Sequence, residues 1–295
     1  MKVLVTGGFG YLGLALLHRL HDRHELTAFG HPPRAPAPIP PSVAQVQGDL
    51  ADIEVGRFDA VIHLAGGGGP RKVAADPVRA VMTNVHATSG LLAKARAAGV
   101  GRLIFASTIQ VYGGDLGRPF RESDRPSPDN LYGALKAAAE HAWSALGGGT
   151  SLRIANIYGA GCGVDMGIQG AVERFARAAA RGGELMVHGD GSQRMDYVHV
   201  DDVAEAFRLV LEATDPPRLL NVGGGNPVSI SMLAESCLSL GLELGARPTL
   251  VRAPSDGSPP ADRSLAIELA AERLRWQPRV DLRDGLRELV RMMTP

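Results

Sequence analysis

Short, continuously apolar runs alternate along the chain with longer stretches whose apolar positions recur every three or four residues. In order they read KVLV, YLGLALLHRLHDR, ELTAF, VAQVQ and FDAVIHLA, then DPVRAVMTNVHATSGLLAKARAAG, RLIFAS, NLYGALKAAAEHAWSAL and TSLRIANIYG. A strand with one wet face alternates apolar and polar residues; a strand covered by helices on both faces does not. Strands of the second kind alternating with helices predict an α/β fold, a doubly wound parallel (Rossmann-type) sheet over roughly the first half of the chain. Beyond about Gly159 the pattern loosens into Gly- and Pro-rich stretches, GAGCGVDMG and RAPSDGSPPAD, and RLLNVGGG reads as a late return to the sheet. The segment HPPRAPAPIPP carries six prolines, cannot be helical and reads as an exposed connection.

The 295 residues suffice for one large domain or two modest ones. Thirty-one basic residues balance 31 acidic ones, so no global field draws the chain to nucleic acid or to an anionic membrane. Any recognition of phosphate has to be local. Cys162 and Cys237 are too few for a disulfide framework and match no metal-ligand spacing, which points to a reducing compartment and no metal. The chain opens on a strand, without the charged and apolar regions of a signal peptide, and no run of about 18 apolar residues could span a bilayer. These features predict a soluble cytoplasmic protein.

The first strand runs into VLVTGGFGYLG, which places Gly7, Gly10 and Gly13, with Phe9, Tyr11 and Leu12 between them, where strand turns into helix. Glycine serves there in three ways: a tight turn, a close backbone approach to a pyrophosphate, and tight packing of helix on sheet. Backbone N–H groups and the positive end of the helix then face the anion. An ordinary Gly-rich turn is the alternative, and it accounts less well for the strand before it and the amphipathic helix after it. The G-x-x-G-x-x-G spacing resembles the extended short-chain dehydrogenase/reductases, the NAD(P)-dependent epimerase/dehydratase family of sugar-modifying enzymes. On that resemblance residues 1–158, returning near 200–224, form a dinucleotide-binding domain, and residues 159–295 are mainly a smaller, interleaved substrate-binding region.

NAD-binding sheets normally carry a carboxylate at the end of the second strand to hold the ribose 2′-hydroxyl. HELTAFGHPPR offers Gly30 at that place, followed by His31 and Arg34. With no carboxylate to repel a 2′-phosphate, NADP is slightly favoured over NAD. The resemblance further implies that Asp49 and Leu50 of GDL contact adenine. It implies that Leu64, Ala65 and Gly66 of HLAG, together with Ala106, lie against the cofactor, and that Asn84 of TNVHATSGLL helps hold the site. His63 reads as a packed histidine.

NLYGALK puts Tyr132 and Lys136 four apart, adjacent on one helix face. A phenol, with an ordinary pKa near 10, acts as acid or base at neutral pH only when its phenolate is stabilised. A neighbouring ammonium and the positive ring of an oxidised nicotinamide can both do that. The hydroxyl-bearing stretch FASTIQVYGG precedes this helix and resembles the family's SSxxVYG. By that resemblance Thr108 holds the reacting substrate oxygen, Ser107 is a structural neighbour and Tyr112 lines the pocket, while Lys136 lowers the pKa of Tyr132 and bonds the cofactor ribose. In the family's 4,6-dehydratases the two positions after the threonine are Asp and Glu. Ile109 and Gln110 cannot do acid–base work, which disfavours elimination of water.

Downstream, SLRIANIYGAG, VHGDGSQRMDYVHVDDVAEAF, LLNVGGGNPVSI and RWQPRVDLRDGL resemble further family segments, so the likeness runs almost end to end. It implies that Asn156 faces substrate and that an arginine just before Asp196 grips a substrate diphosphate. This chain has Met195 there, with Arg194 one residue earlier, and Ser258 at a second family arginine position. Arginine's fork meets phosphate with two parallel, charge-assisted bonds, which neither Met nor Ser replaces. Arg194, Arg252 or Arg263 could stand in, although a one-residue shift on a strand points a side chain to the other face. The expectation is an NAD(P)-dependent oxidoreductase, epimerase or ketoreductase rather than 4,6-dehydratase, acting on a sugar or sugar nucleotide by Tyr-assisted hydride transfer, with a homodimer implied by the resemblance. A non-catalytic NAD(P)-binding sensor on the same fold is the alternative, and it would have no need of Tyr132 and Lys136.

Overall fold

In the computed structural model, residues 1–32, 38–66, 69–160, 170–255, 257 and 262–294 are described. The apolar runs form a parallel seven-stranded sheet in the spatial order Leu219–Val222, Thr150–Ile154, Arg102–Thr108, Ala60–His63, Lys2–Thr6, Glu25–Gly30, Ala44–Gln47. The first strand shows why its run is unbroken. Val3 and Val5 join one core layer with Leu16, Leu17 and Phe207, while Leu4 joins the other with Leu91, Phe105 and Trp143. Helices Tyr11–Leu20 and Val200–Glu212 pack together on the first face, and Thr88–Ala97 and Leu131–Ala145 on the second. From Lys2–Thr6 the chain winds outward in both directions, so a crevice opens at the carboxyl ends of the strands where the order reverses. The late return expected at RLLNVGGG is made by Leu219–Val222, which pairs with the strand Thr150–Ile154.

Two expectations break locally, each for a hydrogen-bonding reason. TSLRIANIYG, which reads as one strand, splits at Ala155. There the Ala155 N–H donates to the Val222 carbonyl (2.9 Å), and Asn156–Tyr158 leaves the main sheet to pair with Tyr197–His199. The helix expected across DPVRAVMTNVHATSGLLAKARAAG runs as Pro77–Val81, a wider π-helical stretch Met82–Ala87, and Thr88–Ala97. Asn84 Nδ2 donates to the Ala80 carbonyl at 2.9 Å and Thr88 Oγ1 to the Thr83 carbonyl at 3.5 Å. Side chains thus take carbonyls that a regular helix reserves for its own N–H groups.

The C-terminal region builds its own core where helices Ala171–Arg181, Ile230–Glu243 and Leu282–Met293 meet around Phe175, Leu233, Cys237 and Leu286. Its strands Arg194–Met195, Val228–Ser229 and Asp262–Arg263 form a three-stranded patch. Buried Asp196 ties that patch to the end of the main sheet, accepting from Gly224 N at 2.7 Å and Leu265 N at 3.0 Å, and burial raises its carboxyl to about 6. Arg34, Cys162 and Ser258 lie outside the described residues.

Candidate active site

Gly7 leaves the first strand with φ +73°, and a Cβ on it would stand 2.8 Å from the Ala65 backbone nitrogen, so the turn requires glycine. The Tyr11–Leu20 helix follows at once, with Gly10 at its N-cap, a residue with no side chain to cap the first N–H groups. A cleft of about 610 Å³ opens beside this turn. From the cradle and the neighbouring strand ends it is lined by Gly7, Phe9, Gly10, Leu12, His31, Leu64, Ala65 and Gly66. From the end of Arg102–Thr108 and beyond it is lined by Ala106, Ser107, Thr108, Gln110, Tyr132, Lys136 and Asn156.

Asn130 caps the Leu131–Ala145 helix, its side chain accepting from Gly133 N at 3.0 Å, and Thr108 meets the first turn with its hydroxyl bonded to the Tyr132 phenol. Burial pushes that phenol up to about 12, and the bond from Thr108 opposes the rise. Lys136, 4% exposed, donates from Nζ to the Ala106 carbonyl at 3.0 Å and sits 4.9 Å from the centre of the Phe105 ring. Burial brings its ammonium down to about 8, while Glu140, one turn further along the helix, holds it up. Such a group keeps most of its charge at neutral pH, next to a phenol that can ionise only beside a cation.

Gly66 completes this corner by being small. A Cβ on it would lie 2.8 Å from Lys136 Nζ and 2.9 Å from Asn84 Oδ1. Asn84 Oδ1 is buried without a partner, and so is Ser107 Oγ on the cleft wall. Unpaired buried polar atoms beside a lysine, at the open end of a glycine cradle, fit a bound group that carries hydroxyls and a diphosphate, as a dinucleotide does.

Two buried constructions stand behind the site. Glu140 and Arg153 form a two-pronged ion pair, with Arg153 Nη2 donating to Oε2 at 2.7 Å and Nε to Oε1 at 3.0 Å, and the guanidinium lies 4.5 Å from the centre of the Tyr112 ring. His63, fully buried, stacks against Phe105 (5.7 Å) and Trp143 (6.0 Å), which also stack on each other at 5.3 Å. Its Nδ1 lies 2.6 Å from Thr6 Oγ1 and its Nε2 2.9 Å from Thr88 Oγ1. Because Thr88 donates onward to Thr83, the hydrogen-bond network assigns the proton to Nε2. Burial, helped by the Lys136 charge, drops this imidazole to about 3, so it is neutral. It is the packed histidine that the sequence suggests.

Other expected residues lie elsewhere. Tyr112 does not line the cleft: it is buried, stacks on Phe120 at 4.7 Å and donates from its hydroxyl to Asn221 Oδ1 at 2.8 Å. Tyr11 turns its hydroxyl to the Gly159 carbonyl at 2.6 Å, Gly13 sits beneath the Gly7 carbonyl, and Asn84 stands behind Gly66. Asp49 and Leu50 form the start of a short 3₁₀ turn outside the cleft, with exposed Asp49 bonded to His31 Nε2 at 3.0 Å. Arg194 is exposed and donates to the Pro227 carbonyl at 3.0 Å instead of reaching the cleft. Ser107 and Gln110, by contrast, line the cleft, although the sequence reading gave neither a role there. Glu140 escaped notice too, and its signal was its place four residues after Lys136 on the same helix face.

Fold and site together define an enzyme of the extended short-chain dehydrogenase/reductase type, with a parallel sheet, a glycine cradle and a Thr–Tyr–Lys group at one cleft. The chain belongs to the NAD-dependent epimerase/dehydratase family, whose model matches residues 3–223. A UDP-glucose 4-epimerase from Corynebacterium glutamicum is 30% identical over 311 residues, covering 96% of this chain and 93% of the relative. A dTDP-D-glucose 4,6-dehydratase from Mus musculus is 27% identical over 317 residues, 98% of this chain and 87% of its own. Among solved structures, MoeE5 in complex with UDP-glucuronic acid and NAD superposes with a TM-score of 0.85 at 30% identity, over 99% of this chain and 98% of the other.

Proposed function

We propose that the protein is an epimerase acting on a sugar nucleotide, oxidising and re-reducing a secondary alcohol of the sugar. The observation that carries this reading is the meeting of Thr108, Tyr132 and Lys136 at the mouth of a dinucleotide cleft whose next two residues hold no carboxylate. Ile109 is buried in the core, and the Gln110 side chain accepts from Asn130 Nδ2 at 2.7 Å, so neither can move protons for elimination. Both epimerases and dehydratases occur among the relatives, and this pair of residues is what favours the first.

When bound, the dinucleotide supplies the reversible two-electron step. Gly7 and Gly10 would hold its phosphates, and Lys136, Asn84 and Ser107 the ribose beside the reacting ring. The rest is done by side chains. Thr108 donates to the substrate oxygen and fixes its distance from the Tyr132 phenol. Tyr132 takes the hydroxyl proton as oxidation proceeds and returns it on reduction, and the charge on Lys136 makes the phenolate accessible. Asn156, held by Asp196 through bonds of 2.9 and 3.1 Å, lines the sugar side.

NAD is the cofactor we favour at the adenosine end. Gly30 places no carboxylate there, but the His31 imidazole is engaged by Asp49, whose negative charge disfavours a 2′-phosphate. The test is to record native mass spectra of the purified protein and to follow UDP-glucose without added reductant. Retained NAD and conversion to a C4 epimer are expected. No conversion of UDP-glucose, with NADH consumed only when NADH and a keto sugar nucleotide are supplied together, would make it a reductase, and a 4-keto-6-deoxy product would overturn the reading.

A further inference from the structure

A sugar nucleotide brings negative charge to a cleft with little to meet it. Of the lining residues, Lys136 donates to Ala106 and His31 is engaged by Asp49, so the substrate's counter-charge has to come from the rim. The sequence offers Arg194, Arg252 and Arg263 for that task, and the strand register separates them. Arg263 pairs with Met195 and Arg194 with Asp262 in a parallel ladder, so Arg263 and Arg194 project from opposite faces. Arg194 is exposed, donates to the Pro227 carbonyl at 3.0 Å and has Asp262 at 3.9 Å. Arg252 donates to the Asp190 carbonyl at 2.8 Å on the exposed surface.

Arg263 is placed differently. Its side chain is 19% exposed, forms an ion pair with Asp129, and keeps a buried Nε with no acceptor. Asp129 stands at the edge of the active site, since Asn130 Nδ2 donates both to Asp129 Oδ1 at 2.9 Å and to Gln110 Oε1 at 2.7 Å, and Gln110 lines the cleft. The backbone at 263 is fixed from both sides: Asp196 N donates to the Arg263 carbonyl at 2.9 Å, and Asp262 N to Asp115 Oδ2 at 3.1 Å. A rigidly mounted guanidinium with an idle donor, paired to a carboxylate that solvent can reach, is a receptor for an incoming oxyanion.

We propose that Arg263 binds an oxyanion of the substrate and that Asp129 is its resident counter-ion, displaced when substrate enters. This rests on the sugar-nucleotide reading above and adds the residue that confers it in a chain with Met195 on the paired position. A diphosphate and a sugar carboxylate both suit the fork. The test measures dissociation constants by calorimetry on NAD-loaded protein, using UDP-glucose and UDP-glucuronic acid with the wild type, Arg263→Met and Asp129→Asn. Arg263→Met is expected to weaken UDP-glucuronic acid by about 10- to 100-fold with NAD affinity unchanged. An equal loss with UDP-glucose assigns the contact to the diphosphate; a loss confined to UDP-glucuronic acid assigns it to the carboxylate. Asp129→Asn removes the competitor and tightens whichever ligand Arg263 holds. Should Arg263→Met fail to fold, Asp129→Asn alone decides, and unchanged or weaker binding overturns the proposal. Unaltered binding of both ligands by folded Arg263→Met overturns it while leaving the sugar-nucleotide reading intact, whereas wild-type protein that binds neither overturns both.

Discussion

Arginine 153 and glutamate 140 lie where water hardly reaches, with side chains only 4% and 9% exposed, so their mutual dependence can be measured. Arg153→Met keeps an unbranched apolar stem, but removes the guanidinium from the Tyr112 ring and leaves the Glu140 carboxylate buried and unpaired. Breaking such a pair on one side costs about 3–5 kcal/mol. Against a total stability of roughly 5–15 kcal/mol for a folded domain, that is a large share. The double variant Glu140→Gln/Arg153→Met removes both charges and should recover most of the loss, since neutral replacement of a buried pair is often harmless. Urea unfolding followed by tryptophan fluorescence suits the question, because buried Trp143 lies on the same helix as Glu140. A single variant within about 1 kcal/mol of wild type, or a double variant no more stable than Arg153→Met, would refute the reasoning.

Three further outcomes follow from the same geometry. Tyr132→Phe should lower kcat by about 10²–10⁴-fold with NAD affinity intact, measured at saturating substrate, and near-normal turnover would remove Tyr132 from its role. Glu140→Gln withdraws the charge that holds Lys136 up at about 8, so the decline of kcat/KM with rising pH should move to lower pH; an unmoved profile would show that the two are uncoupled. His63, lowered from 6.5 to about 3, contributes stability that is complete above pH 6.5 and lost as pH falls towards 3, roughly 5 kcal/mol at most. Urea midpoints of His63→Gln should therefore fall less steeply between pH 7 and 4 than those of the wild type, and parallel curves would contradict a neutral His63.

The parts of this protein written locally were legible. A glycine cradle, a Tyr and a Lys four apart and unbroken apolar strands each depend on neighbours within a turn or a strand, and they led to the sheet and the cleft, whereas Thr108 came from the resemblance of FASTIQVYGG to the family's SSxxVYG. What depended on register or on a partner far along the chain was not legible. No local pattern says that Arg263 lies beside Met195, because strands 194–195 and 262–263 meet only in the folded chain. Tyr112 was placed in the pocket because its motif ends there, yet Asn221, more than a hundred residues away, takes its hydroxyl. The π-helical stretch at Met82–Ala87 was hidden for another reason: its pattern of apolar residues is that of a regular helix, and the widening comes from Asn84 and Thr88 reaching for carbonyls.

The edge strand Leu219–Val222 bears on how this chain can be made and divided. While only the first 158 residues have left a ribosome, the outer side of Thr150–Ile154 has no neighbour, and the face that Val200–Glu212 will cover is still open. The cofactor half is closed only after residue 222 has been synthesised, because Leu219–Val222 completes its sheet and Val200–Glu212 covers its face. No single cut yields two independent folding units.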